Sequence, residues 1–358
     1  MSIDERWMHQ AIEEAKKGEK TAFPNPMVGA VLVGAEGQII CHGFHEKPGA
    51  YHAERIALNK IQKAPEGSVL YVTLEPCCSY GRTPPCVDII LEKDIHHVVV
   101  GMLDPDIRMQ GRGVALLREQ GVRVDVGVLE EECRRLNFRY LNIRAQNRPT
   151  IAIKVGCSVD GKIVDAHGSS QWITSSAARS HAHKLRSVYD GILVGSGTLL
   201  ADNPALNCRW EGGRNPSPII LDTHARCPVD ANVLTAGKKP ILCIGSNTQQ
   251  RDLPVEYVVV PENEEGLLDI RNLLTQLYEK GMYTILVEGG SRVIQSLIQA
   301  NCVDIVEVYV GSVFLGGGNS WGHGCDFLLE KAPRLRLRAM EAIDSDLHLS
   351  YFWETSDV

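Results

Sequence analysis

Apolar positions in the first half of the chain switch between two periods. Trp7, Met8, Ala11, Ile12 and Ala15 recur at helical spacing, and Gly18 follows as a stop signal. VGAVLVG and QIICHGF read as two strands joined at AEG. HAERIALNKIQK then reads as a helix, GSVLYVTLEP as a strand, CVDIILEKD as a helix, HHVVVGMLDP as a strand, VALLREQG as a helix and VRVDVGVL as a strand. Strands alternating with helices of this length imply an α/β layered fold. LEEECRRLNFRYLNIRAQNRP passes from an apparent helix into polar residues and Pro149, so a boundary is expected near residue 146, with domains at 1–146 and 147–358.

The second half restarts with its own strand, TIAIKVGCSVDG. A helix around SSAARSHAHKLRSV leads into the strand YDGILVG and a glycine-rich turn. PSPIILDT, KKPILCIGS and VEYVVVP read as short strands, and GLLDIRNLLTQLYEKG as a helix with a glycine stop. TILVEGGSRVIQSLIQANCVDIVEVYVGSVF reads as strand, glycine turn, helix, strand. The halves share no repeat, which points to two independent α/β domains.

A length of 358 residues agrees with two domains. With 37 Lys and Arg against 44 Asp and Glu, the net charge of −7 argues against a nucleic-acid partner, whose phosphates demand excess cation. No apolar run reaches the ~18 residues of a membrane span. The start lacks the basic-then-apolar order of a secretion signal, so the cytoplasm is the expected compartment. Most of the 11 cysteines are expected to be free thiols. Eight of them, Cys41, Cys133, Cys157, Cys208, Cys227, Cys243, Cys302 and Cys325, lie singly and read as small buried hydrophobes.

Cys77, Cys78 and Cys86 stand apart, because His52-Ala53-Glu54 precedes them. His52, Cys77 and Cys86 supply one imidazole and two thiolates, the ligand set of a catalytic zinc that keeps a fourth position for water. Such a metal brings water to hydroxide at neutral pH. Glu54 is then free to shuttle a proton to the substrate nitrogen and the leaving ammonia. The pattern is that of zinc deaminases, H-x-E followed by P-C-x-x-C, with the second half stretched to eight intervening residues. Cys78 competes with Cys77 as ligand, and the Pro-Cys position favours Cys77.

VTLEPCCSYGRTPPC, with AFPNPMVGAVLV and YHAERIAL before it, resembles the deaminase half of the bifunctional riboflavin-biosynthesis deaminase–reductases. The resemblance implies a cytidine-deaminase-like three-layer domain acting on 2,5-diamino-6-ribosylamino-4(3H)-pyrimidinone 5′-phosphate. It also implies that Asn25, His45, Arg82 and Asp104 contact the pyrimidine or its ribose phosphate. Two positions depart from the family: Ser79 stands where histidine is usual, and Asp106-Ile107 where DPNP would continue. Arg108 is the nearest base able to compensate.

Three further glycine turns, GSGTLLADNP, VEGGSRV and FLGGGNS, follow strands in the second half, and none is G-x-G-x-x-G. A glycine turn before a helix still lets backbone N–H groups approach a phosphate. KVGCSVDGKI, SSQWITS, HKLRS, GSGTLLADNPALNCR, LDT and VEGGSRVI, in that order, resemble the reductase half of the same family. That resemblance implies a dihydrofolate-reductase-like domain using NADPH. By the same match Gly156, Trp172, Thr198, Asp202 and Thr223 line the cofactor site, while Gly290, Ser291, Arg292, Val293, Ile294, Gln295 and Ser296 hold its pyrophosphate. Ser170, Arg186, Leu206, Arg209 and Glu288 are implied to hold the small-molecule pyrimidine ribosyl phosphate, and a homodimer is expected. Lys154, on a buried strand where lysine needs a partner or a function, and Glu288, ending TILVE, are the ionisable candidates for assisting ring opening. Two rivals remain at this stage: a zinc deaminase of nucleosides or RNA bases, and a degenerate protein that binds pyrimidine phosphates without turnover.

Overall fold

Trp7, Met8, Ala11, Ile12 and Ala15 are buried along one side of α1 (Ile3–Lys16), whose start is closed by a capping box between Ser2 and Glu5. The computed structural model of the chain describes residues 1–81, 83–106 and 109–354. The chain divides into two compact units between Gln146 and Asn147.

After α1 the first unit runs β1 (Gly29–Val33), β2 (Ile39–Phe44), α2 (Ala53–Leu58), β3 (Val69–Leu74), α3 (Cys86–Glu92), β4 (His97–Met102), α4 (Arg112–Glu119), β5 (Arg123–Val126), α5 (Glu130–Leu136) and α6 (Phe138–Gln146). Its sheet has the order β2-β1-β3-β4-β5. β1 is antiparallel to both neighbours, and β3, β4 and β5 are parallel. β1 and β4 are almost wholly buried, as a sheet covered on both faces requires. α1 and α5 cover one face, and α2, packed beside α3, covers the other. A Cβ on Gly43 would stand 2.7 Å from the Ala57 nitrogen and 2.8 Å from the Ala53 oxygen, so α2 rests directly on β2.

The stretch expected to dissolve into polar loop stays helical to Gln146, broken only at Asn137. The buried Asn137 amide brackets Met27, accepting from its N–H at 2.8 Å and donating to its carbonyl at 3.0 Å. The break between α5 and α6 thereby anchors the PNPMVG loop.

The second unit runs β6 (Thr150–Ser158), α7 (Ser176–Arg186), β7 (Gly191–Gly195), α8 (Ser196–Asp202), β8 (Ser217–Leu221), β9 (Ile241–Gly245), β10 (Glu256–Val260), α9 (Ile270–Glu279), β11 (Thr284–Val287), α10 (Ser291–Gln299), β12 (Ile305–Gly311), β13 (Arg334–Ile343) and β14 (Asp346–Glu354). The sheet order is β10-β9-β8-β7-β11-β6-β12-β14-β13. The first seven strands of that order are parallel, and β14 and β13 join antiparallel. Arg148 grips Asp304 through two hydrogen bonds of 2.7 and 2.8 Å, and Asp304 also accepts from Ile151 N–H at 2.8 Å. That buried pair joins the entries of β6 and β12. The chain leaves β6 toward β7 on one side and returns through β11 to β12 on the other. Ligands bind beyond the carboxyl ends of strands where strand order reverses in this way.

Two features differ from the sequence reading. GSGTLLADNP, expected as a turn, becomes α8 directly after β7. The β13–β14 hairpin has no counterpart in the apolar pattern, because its buried side is polar: Asp346, His348 and Ser350 point inward while Leu347 is exposed.

Candidate functional site

In the first unit, β3 and two helix starts deliver the ionisable groups to one point. His52 is the N-cap residue of α2 and makes no side-chain capping bond, so its ring is available elsewhere. Its Nδ1 lies 3.3 Å from Cys77 Sγ and 3.4 Å from Cys86 Sγ. Cys86 opens α3, and the N–H groups of Cys86 and Val87 donate to the Cys77 carbonyl at 3.0 and 3.2 Å. These bonds fold the long intervening loop back on itself, which is how eight residues replace two. One imidazole nitrogen and two sulfurs within 4.8 Å of one another fit a zinc ion with its fourth position open. Cys78 is not in this cluster.

Glu54 is 3% exposed on the first turn of α2. Burial, reinforced by the Cys77 thiolate, pushes its carboxyl up to about 7. Hydrogen bonding from Cys86 draws the Cys77 thiol well down, and Cys86 moves up in turn. A carboxyl near 7 takes up and gives back a proton close to neutrality.

His45 packs edge-on against His52, with ring centroids 5.5 Å apart. Its Nδ1 lies 3.0 Å from the Tyr51 carbonyl, so Nδ1 carries the proton, and Nε2 accepts from Asn25 Nδ2 at 3.0 Å. Burial lowers the His45 pKa, which keeps the ring neutral. Asn25 and His45 are thus brought to the cluster. Asp104 receives the Asp106 N–H at 2.9 Å, and Ser79 is exposed beside Met109. Arg82 and Arg108, like Ile107, lie outside the described residues.

One residue of this site escaped the sequence reading. Glu75, buried just before Pro76-Cys77, accepts N–H donors from Asp104 at 3.1 Å, Gly111 at 2.8 Å and Val114 at 3.1 Å. A Cβ on Gly113 would stand 2.0 Å from the Pro76 oxygen, so α4 comes that close only because glycine is there. A carboxylate inside an apolar strand end, LEP, was the available signal. Glu75→Gln leaves three donors facing one acceptor oxygen. It should destabilise the first unit by about 1.5–3 kcal/mol and raise the deaminase KM through the Asp104 loop. Denaturant titration and initial rates check this, and wild-type values for both would remove Glu75 from the site.

In the second unit, Lys154, Gly156, Ser170, Trp172, Arg186, Thr198, Asp202, Leu206, Arg209, Glu288 and Ile294 all line one cavity of about 760 Å³ at the carboxyl ends of β6, β7 and β11. That volume suits a small-molecule or cofactor site. At its floor Glu288 accepts from Arg186 Nε at 2.8 Å and Nη2 at 2.9 Å, and from Lys154 Nζ at 3.3 Å. Burial alone would raise the Glu288 pKa, but the Arg186 and Lys154 charges outweigh it and hold the carboxyl well below the usual range. Arg186 Nη1 donates to the Asn207 carbonyl at 2.8 Å. Arg186, expected on a phosphate, therefore has most of its donors engaged by the protein. Arg209 is exposed and reaches His183 Nε2 through Nε at 3.0 Å and Nη2 at 2.8 Å. His183, which the sequence reading passed over, is driven down to about 4 by burial and by Arg186 and Arg209. Trp172 is 68% exposed, with the Arg179 guanidinium 4.3 Å from its ring centre.

The pyrophosphate segment is only partly at the cavity. Gly289 and Ile294 line it, and Gly290 caps α10 next to Thr198. Ser291, Arg292, Val293, Gln295, Ser296 and Thr223 do not line it. Gln295 Nε2 donates to the Gly324 carbonyl at 2.9 Å and Ser296 Oγ to the Arg292 carbonyl at 3.0 Å. For the residues from Gly290 to Ser296 helical periodicity is the reason, since a seven-residue run must turn most of its side chains away from any one ligand. Thr223 instead sits in the turn after β8, its carbonyl accepting from Gly245 N–H at 3.0 Å. Of the eight single cysteines, Cys208 and Cys325 are half-buried and the rest are buried.

Comparison with known proteins bears on both units. A family model described as "RibD C-terminal domain" matches residues 149–349, and one described as "Cytidine and deoxycytidylate deaminase zinc-binding region" matches residues 1–102. The riboflavin biosynthesis protein RibD of Aquifex aeolicus is 38% identical over 346 residues, covering 96% of this chain and 97% of the relative. That of Bacillus amyloliquefaciens is 38% identical over 356 residues, covering 97% and 96%. The solved structure of Acinetobacter baumannii RibD, form 1, is similar with a TM-score of 0.83, 31% identity and 99% coverage of both chains. A Thermotoga maritima diaminohydroxyphosphoribosylaminopyrimidine deaminase/5-amino-6-(5-phosphoribosylamino)uracil reductase gives 0.82, 35% identity, and 98% and 99% coverage.

Proposed function

The chain belongs to the RibD family of bifunctional riboflavin-biosynthesis enzymes, and from that premise we propose which of its residues perform the two reactions. It is a zinc-dependent deaminase and an NADPH-dependent reductase, with a cytidine-deaminase-like fold preceding a dihydrofolate-reductase-like one. It deaminates 2,5-diamino-6-ribosylamino-4(3H)-pyrimidinone 5′-phosphate and reduces the ribosyl side chain to give 5-amino-6-ribitylaminouracil 5′-phosphate. We assign deamination to residues 1–146 and reduction to 147–358.

His52, Cys77 and Cys86 hold the zinc in this reading, and their convergence is the observation that carries it. When bound, zinc supplies the Lewis acidity that makes water a nucleophile at neutral pH. Glu54 takes a proton from the attacking water at its carboxylate and passes it to the departing ammonia. Asn25, oriented through His45, and Asp104, held through Glu75, bind the pyrimidine and its ribose. Chelating the zinc should abolish ammonia release, while NADPH oxidation with the deaminated substrate persists, because all three ligands belong to the first unit. Ammonia release surviving zinc removal would overturn the assignment.

For the reductase, NADPH supplies the hydride when bound in the β6–β7–β11 cavity, against Gly156, Trp172, Thr198, Asp202 and the Gly289-Gly290 turn. Lys154 holds at Nζ the proton that the ribose ring oxygen takes up as the ring opens toward an imine. Glu288 holds Lys154 and Arg186 in place, and Arg209, with Ser170 and Leu206 lining the same cavity, meets the substrate phosphate. The order is deamination, then reduction.

Among the described residues no helix is long and apolar enough to cross a membrane, and the cavity of the second unit supports small-molecule partners. Leu337 and Met340, exposed on the edge strand β13, support a homodimer.

A further inference from the structure

We propose that His181, Glu341 and His348 form a second divalent-metal site, in the second unit and outside both active sites. A ring nitrogen from each histidine and a carboxylate oxygen from Glu341 lie within 4.8 Å of one another. His181 Nε2 stands 3.6 Å from Glu341 Oε2. Ligands around one such ion are about 3.3 Å apart, given metal–nitrogen bonds of about 2.0–2.1 Å, so a small inward movement completes the site. Glu341 is mostly exposed and free to make that movement.

The placement follows from strand register. Tyr309 on β12 pairs with His348 on β14, and His348 pairs with Glu341 on β13, which sets the three residues in one row across the sheet. α7 lays His181 over that row, with its ring centroid 5.1 Å from that of His348. Each imidazole is also held at one nitrogen. Glu307 Oε2 is 2.9 Å from His348 Nε2, and the Tyr309 hydroxyl is 2.9 Å from His181 Nδ1. Both rings therefore keep their second nitrogen, and an outer carboxylate or hydroxyl fixing the ring is the usual support of a metal-binding histidine. Tyr309 stacks on His348 with centroids 4.6 Å apart, which stiffens the arrangement.

Charge is consistent with a cation. Arg338 approaches the buried Glu307 at 3.6 Å and balances it, leaving Glu341 to offset the ion. Two imidazoles and one carboxylate suit zinc and its transition-metal neighbours rather than magnesium or calcium. The bound ion would tie α7 to the β13–β14 hairpin as a clasp. It takes no part in hydride transfer, because His181, Glu341 and His348 do not line the cavity.

The test is equilibrium dialysis of the zinc-loaded full chain against Co²⁺, read by total metal per chain, visible absorption and thermal midpoint. A second equivalent is expected, with the d–d bands of nitrogen and oxygen ligation, no thiolate charge-transfer band and a raised midpoint. Glu341→Gln removes an exposed ligand without disturbing the core, and it should lose the second equivalent while keeping reductase turnover. His181→Gln should lose it as well. Uptake of only one metal per chain at saturating Co²⁺ would overturn the proposal. So would a second equivalent that survives both substitutions, since that metal would be bound elsewhere.

Discussion

Glu54→Gln is expected to lower deaminase turnover roughly 10²–10⁴-fold while the chain retains its zinc. The substitution keeps the shape of a side chain that is 3% exposed, so packing against α2 and the ligand cluster is preserved. It removes a buried carboxyl that can both take and return a proton near neutrality, a property produced by burial and by the Cys77 charge. Ammonia release and metal content should be measured on the same preparation, with NADPH oxidation of the deaminated substrate as an internal control. Turnover within a few-fold of wild type would show that another group moves the proton. Loss of zinc together with activity would make Glu54 a ligand instead.

Glu288→Gln should strongly destabilise the second unit. Arg186 and Lys154 would be left as two partly buried cations without their anion, and breaking such a pair from one side costs about 3–5 kcal/mol. Trp172, Trp210, Trp321 and Trp353 all belong to this unit, with only Trp7 in the other, so tryptophan emission during denaturation follows the relevant transition. Reductase turnover should fall with stability, because Lys154 loses the carboxylate that holds its Nζ at 3.3 Å. Adding Arg186→Met to Glu288→Gln removes one orphaned charge and should recover part of the stability without recovering turnover. An unshifted transition in the single variant would mean that the cluster is solvated rather than structural.

The first unit's chemistry was legible because it rests on residue types that have few other reasons to occur together. H-x-E and Pro-Cys with a later Cys announced the donor set, and alternation of apolar periods announced the sheet that carries it. Glu75 was marked only by a carboxylate at an apolar strand end, and His183 by nothing, since a single imidazole in a helix has no periodicity. Their roles appear only when Asp104, Gly111 and Val114, or Arg209, arrive from distant positions. Arg186 shows the same limit from the other side: its guanidinium meets the Glu288 carboxylate, more than a hundred positions away.

Local order and spacing thus determined by themselves the layered α/β class, the expectation of two domains and the candidate zinc donors. Short-range spacing and the chemistry of side chains are sufficient for those. Tertiary structure alone decided which strands became neighbours, and so which charges met. It closed the stretched cysteine loop through the Cys77 carbonyl and turned only one side of α10 toward the cavity. It also buried the polar side of β14, aligning Tyr309, His348 and Glu341 under His181. The physical reason is that charge pairing and ligand convergence depend on through-space distance, which strand register and helix packing set and which separation along the chain does not encode.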